Sequence, residues 1–460
     1  MKHTFFQCPV SYYSKFTFRS FLNNLSTISM ALVLVLFAIG CRPPDNVTPG
    51  EDFCSAGANV LLVDDDNIPT QVKNKIYERP PAFVGVGHPD YNPNLPIVII
   101  PFQFATQFPF NTSVTTDVIR HDFFSTGTGS VKDYFFENSW GQFNIREGFI
   151  ANGVWLQEDP EFYNPGLPNT DWTTNPVLKT EVCQNSNVDW PSLDVNGDHV
   201  ISYREAVICL MPAIGNGGAN RPDVITISTN SGNYTIYSRF VFFDCKRNDD
   251  LSKGTDDIRY NYGTIWHELC HGMFGLTPDR YGVSGICGSG KVGKYDIMSN
   301  NCSRILMTIY DKMKLGWIRP RILGEGTTGQ CYSIQASAST PAALVVLPNT
   351  SDPQGNEYWI IENRFIGASA RNFDSGLPES GLAIWYVNEE TDQIALVDAR
   401  MWDQDPLNIL YNPSDSQRGA LFKYDPAAAI TEKLLITANN RGRRFISYIS
   451  NPGHTMYLNL

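Results

Sequence analysis

The chain has 460 residues, 42% of them hydrophobic and 18% charged, with a formal net charge of -12. That length and apolar content suit two or three domains with sizeable cores, and they exclude a disordered or coiled-coil chain. The acidic balance argues against nucleic acid as a partner, because few cations are at hand to replace the counterions of a phosphate backbone.

Residues 30–40 (MALVLVLFAIG) form a short apolar run behind Lys2, Lys15 and Arg19. The run is too short for a comfortable bilayer span and reads as an export signal over residues 1–41. Its ending, Ala38-Ile39-Gly40-Cys41, resembles a bacterial lipoprotein cleavage site, which would make Cys41 the lipidated first residue. A plain cleaved signal is the alternative. The expected location is therefore outside the cytoplasm, as an outer-membrane or cell-surface lipoprotein or a secreted protein. Any membrane contact would run only through the lipid on Cys41. Cys54, Cys183, Cys209, Cys245, Cys270, Cys287, Cys302 and Cys331 then remain, an even number that suits disulfides in an oxidising compartment. Several could equally be buried thiols.

Residues 42–94 are polar and rich in Pro and Gly, and read as a tether plus a short leader. A domain over residues 95–320 opens on the buried-strand pattern Ile97-Val98-Ile99-Ile100. Residues 130–137 predict a helix, with Ser130 as cap and Asp133 three positions on, in the manner of a capping box. A strand pattern follows in QFNIREGFI, and AVICLM (206–211) reads as another buried strand. Residues 264–274 (TIWHELCHGMF) predict a helix with one apolar face. Residues 303–315 predict a second, capped by Ser303, with Lys312 and Lys314 in its last turn and Gly316 ending it. Residues 321–460 carry short β-rich runs with no helical period, and read as a mostly β domain.

The chemistry lies in His267-Glu268-Leu269-Cys270-His271. Two His four apart share one helix face and can reach one ion, with Glu268 beside them to touch a water on that ion. Zinc with three protein ligands keeps a position for water and lowers its pKa towards neutrality, and Glu268 would serve as the base. No His follows His271 until His454, so the third ligand must be an acid. Asp279, brought back by a turn at Gly275 and Pro278, is favoured, with Asp296 as the alternative. Met298 stands between this motif and the next helix, where metzincins place a Met-turn. An exported zinc metallopeptidase is the reading these residues support.

On these motifs the chain resembles the immune inhibitor A-type family of secreted bacterial zinc metallopeptidases, within the metzincins. The segments that carry the resemblance are SVKDYFFENSWGQFNI, WHELCHGMFGLTPDRYG, GKYDIMSNN, YDKMKLGWIRP, EYWIIENRF and LPESGLAIWYVNEE, in the family's order. The resemblance implies a zinc endopeptidase acting on protein or peptide substrates. Its ligands would be His267, His271 and Asp279, with Glu268 as base. It implies an α+β fold: a metzincin-like domain of twisted sheet plus active-site helix, followed by a mostly β, sandwich-like C-terminal domain. The stretch between His271 and Asp279 is longer here than the family usually has. Tyr386 and Asn388 stand where it often has His and Asp, so roles there do not transfer.

Residues 194–205 place oxygen donors at Asp194, Asn196, Asp198, Ser202 and Glu205, a spacing that suits Ca²⁺. His199 occupies the position where such loops usually carry Gly, and a metal-free Asx-turn loop is the alternative. Beside the peptidase, two other functions stay open. One is an exported binding or adhesion protein on an inactive peptidase scaffold, and the other a metal-dependent hydrolase of a different bond.

Overall fold

Asn94–Gln103 (β1) is buried at every position after Asn94, as its unbroken apolar run requires. It is a central strand of a seven-stranded sheet in the computed structural model, which describes residues 67–105, 114–163, 172–213, 218–243, 262–277, 290–299, 304–324, 330–348, 355–401, 406–411, 418–423, 433–436, 443–446 and 448–460. Asn144–Ile150 (β2) and Val154–Trp155 (β3) pair with β1, as does Val207–Pro212 (β5) on its other side. Val200–Ile201 (β4) and β5 both pair with Gly232–Phe242 (β7). All these pairings are parallel. Ala219–Thr229 (β6) runs antiparallel to β7 and forms the edge.

Side-chain alternation divides this sheet between two cores. Val98, Ile100, Ile208, Leu210 and Phe240 face outward onto Leu178 and Val182 of the helix Pro176–Asn185. Ile97, Ile99, Cys209 and Val241 face the main core. That core holds the helices Thr70–Tyr77 (α1), Thr116–Phe124 (α2) and Val131–Asn138 (α3). It also holds Tyr262–Phe274 (α5, the helix Pro176–Asn185 being α4) and Ile309–Lys314 (α6). The far wall of the main core is a second sheet of Arg321–Leu323 (β8), Leu344–Val346 (β10), Glu357–Arg364 (β11), Gly381–Asn388 (β12) and Gln393–Leu396 (β13). Its residues Val345, Tyr358, Ile360, Ala383 and Trp385 point into the main core. Their neighbours Leu344, Trp359, Ile361, Leu382 and Ile384 point the other way. There they meet Tyr332 and Ile334 of Cys331–Gln335 (β9) and Met456 and Leu458 of Thr455–Asn459 (β14). The β-rich part is thus buried on both faces of its main sheet, one of them in the main core. The fold is mixed α/β, with a parallel sheet and further sheets.

The stretch read as the end of a tether carries α1, with Ile68, Val72, Ile76 and Phe83 buried in the main core. Ser130 caps α3 as expected, accepting the Asp133 N–H at 3.1 Å. The Asp133 carboxylate reaches further back than a capping box, onto the amides of Gly127, Thr128 and Gly129. The second predicted helix is shorter than its pattern: it begins after Thr308, not Ser303, which lies outside the described residues. The reason is long-range. Asp374, Asn138 and Asp296 capture the amides of Leu306, Met307 and Thr308, which holds that stretch out of a helix. Lys312 and Lys314 are buried rather than at a helix surface; Lys314 Nζ donates to the carbonyls of Ile76 and Glu78. Cys183, Cys209 and Cys270 are free buried thiols, so the eight cysteines do not all pair, while Cys331 is in a disulfide. Among the described residues no helix is long and apolar enough to cross a membrane, and Cys41 lies outside them.

Candidate metal site

Helix α5 presents its apolar stripe, Ile265, Trp266, Leu269, Cys270, Met273 and Phe274, to the main core. Trp266 fixes its rotation by stacking on Tyr134 of α3, with centroids 4.2 Å apart and planes 3° from parallel. Gly272 lets the helix lie directly on β7, since a Cβ there would come within 2.4 Å of Val241 Cγ2. The helix ends at Gly275, whose φ of +69° suits glycine and whose amide donates to the His271 carbonyl at 3.0 Å.

The same stripe leaves His267, Glu268 and His271 on the flank facing the sheet edge and the turn at residues 296–299. His267 Nδ1 donates to the Ile297 carbonyl at 2.9 Å, and His271 Nδ1 donates to the Leu276 carbonyl. A carbonyl can only accept, so the proton of each neutral ring sits on Nδ1 and its lone pair on Nε2. The two Nε2 atoms face each other 3.0 Å apart. Burial holds both rings neutral: it lowers the His267 pKa, and it takes His271 down to about 3, helped by the adjacent His267 and by Arg239 and Arg221. Two lone pairs at this distance repel unless a cation lies between them. Two metal–nitrogen bonds of about 2.0–2.1 Å at a tetrahedral angle would separate their nitrogens by roughly 3.3 Å. The pair therefore fits one small borderline-soft cation.

Glu268 is 6% exposed, and burial raises its pKa to about 8 against the opposing pull of Arg221. With His271 it borders a cavity of about 500 Å³ whose other walls include Ala82, Tyr203, Gly218, Arg221 and Arg239. Gly218 is required in this wall, because a Cβ there would fall 2.3 Å from Glu268 Cγ. Arg239 donates to the His271 carbonyl at 2.8 Å and lies over the Tyr203 ring. None of these cavity residues was a sequence candidate. A charged residue inside the otherwise apolar strand YSRFVF was the one available signal for Arg239.

Met298 is buried in the core beside this helix, in the turn that hands its Ile297 carbonyl to His267. Asp296, the alternative third ligand, holds that turn instead: its carboxylate accepts the amides of Met298 at 2.8 Å and Thr308 at 3.0 Å. Asp279 lies outside the described residues, and among those described no third His, Cys, Asp or Glu joins the pair. In the 194–205 loop, Asp194 accepts the amides of Gly197, Asp198 and His199. Asn196 accepts from Asp198, and Glu205 accepts the amides of Val195 and Ser202 and the Ser202 hydroxyl. His199 supplies the positive φ (+61°) that glycine usually gives such a loop. No family model matches the chain, and no curated protein matches it.

Proposed function

We propose that the protein is a zinc-dependent endopeptidase of the metzincin type, exported and either lipid-held at Cys41 or released. The observation that carries this reading is the pair of Nε2 lone pairs converging to 3.0 Å on a flank that also bears Glu268. His267 and His271 would hold Zn²⁺ with Asp279 as third ligand, and the metal would supply an acidified water and a Lewis acid for the scissile carbonyl. The chain's own contribution is orientation and proton handling. The Ile297 and Leu276 carbonyls fix the tautomer of each ring, as partners beyond the ligands commonly do. Glu268, beside them, takes the proton of the attacking water and passes it to the leaving amine. Its raised pKa falls when a dication is near, which brings it into the range of a base at neutral pH. The cavity also borders the start of strand β6 at Ala219, Asn220, Arg221 and Pro222.

The test is zinc content and casein cleavage of the purified protein beside Glu268→Ala. The variant is expected to keep zinc and lose at least about a hundredfold in rate. Wild type with neither zinc nor cleavage would favour the binding-protein reading. Zinc without cleavage of any peptide would favour hydrolysis of another bond. Ca²⁺ in the 194–205 loop belongs to the same proposal as a structural ion.

A further inference from the structure

The segment between α1 and β1 meets the metal helix at its most sensitive point. Val84 donates its amide to the Phe274 carbonyl at 2.8 Å, satisfying an acceptor that the end of α5 leaves open. The Ala82 carbonyl lies so close to Gly275 that a Cβ there would sit 2.1 Å from it. Gly275 leads straight into Leu276, whose carbonyl holds His271 Nδ1. Phe83, between these two contacts, is 1% exposed in the main core. The segment is fastened at both ends to the last turn of α6. Upstream, Lys314 Nζ binds the carbonyls of Ile76 at 2.7 Å and Glu78 at 2.9 Å. Downstream, Val86 donates to the Leu315 carbonyl at 2.9 Å, and Gly85 lies flat on the Leu315 backbone. Ala82 also lines the cavity beside Glu268 and His271.

We propose that residues 80–86 are a permanent positioning strap for His271 and one wall of its cavity, not a leader whose removal uncovers the site. Without the strap the Phe274 carbonyl loses its donor and the 275–276 turn loses its backing. The His271 ring then loses the acceptor that fixes its tautomer. Any maturation cut must therefore fall before residue 80.

The zinc arm of the test rests on the proposed function; the exchange arm does not. In the full chain, Gly85→Ala places a Cβ 2.5 Å from the Leu315 carbonyl oxygen, against backbone that cannot swing aside. The expected result is a tenfold or greater loss of zinc affinity by chelator competition, with the circular dichroism spectrum unchanged and a lowered but still cooperative melt. Amides 274–276 should also exchange faster with deuterium. Gly87→Asn is the control: nothing lies within 4 Å of the added Cβ, and Asn tolerates the +83° φ, so neither readout should move. Unchanged exchange and affinity in Gly85→Ala would overturn the strap. Wild type that binds no zinc would defeat the metal reading alone, with exchange still deciding the strap. If Gly85→Ala does not fold, the N-terminus of the mature protein decides: a start at or before residue 80 supports the strap, and a stable form starting after residue 80 overturns it.

Discussion

Two buried polar clusters share the main core, and they are finished differently. Around Arg364 each charged side chain has a partner. Its guanidinium meets Asp374 at 2.7 Å and the Tyr295 carbonyl at 3.1 Å. Glu362 accepts the Trp385 indole N–H at 2.7 Å and the Ser337 hydroxyl at 2.6 Å. Asp374 also takes the Leu306 amide, and Asp296 takes two amides of its own. Around His267 and His271 the outer nitrogens are equally well held, but the inner ones confront each other, and Glu268 sits beside them in a low-dielectric wall. Both clusters cost solvation. The second turns two ring lone pairs toward one point beside a carboxylate, which is the mark of a site, whereas the first commits nearly all its groups to the chain's own carbonyls, amides and hydroxyls, with Arg364 Nε and Asp374 Oδ2 left over.

The contrast can be broken at either end. The largest expected effect is in the finished cluster: Arg364→Leu should destabilise the protein by about 3–5 kcal/mol in urea unfolding, because Asp374 and Glu362 would stay buried without their cation. A loss below about 1 kcal/mol would erase the distinction. In the unfinished cluster the sign should reverse. The Glu268 pKa is raised to about 8 in the folded chain, from an ordinary 4.5. The folded state therefore holds a proton that the unfolded state gives up between those values, and stability from this group is lost as pH rises towards 8. Glu268→Gln, which never ionises, should leave the metal-free protein unchanged near pH 4. At pH 9 it should stabilise the protein by an amount on the order of a few kcal/mol, read from melts in chelator. A destabilised Gln variant at pH 9 would show that the carboxylate is not strained. The smallest effect concerns the exposed 194–205 loop, whose oxygens lie on its own amides. In zinc-saturated protein, millimolar Ca²⁺ should raise the melting temperature by roughly 2 °C or more, and Asp194→Ala should abolish the rise. An unmoved melt would leave the loop a metal-free Asx turn.

What the sequence disclosed follows the range of the forces involved. Ser130 as a cap, the strand at 97–100 and the helix bearing His267 and His271 are all local or periodic features, and they stand where the pattern put them. The start of α6 was hidden because three of the amides before it are taken by Asn138, Asp296 and Asp374, two of them far away in sequence. The docking of residues 67–88 was hidden because its anchors, Ile68, Val72, Ile76 and Phe83, are few and sit among Pro and polar residues. The buried lysines 312 and 314 had the spacing of ordinary helix-end cations. Their carbonyl, carboxylate and aromatic partners come from other elements. The two arginines of the cavity came from β-strands with no motif around them.

Helix α3 ties these observations to motion. Through Tyr134 it grips Trp266 of the His-bearing helix, and the same Tyr134 hydroxyl donates to the Ile305 carbonyl while Asn138 takes the Met307 amide. One short helix is thus a common mount for the helix that bears His267 and for residues 305–307, and the next amide, that of Thr308, is held by Asp296 beside the acceptor Ile297. A shift of α3 should therefore carry ring and acceptor together, and the angle between ring and carbonyl should survive warming better than either position alone.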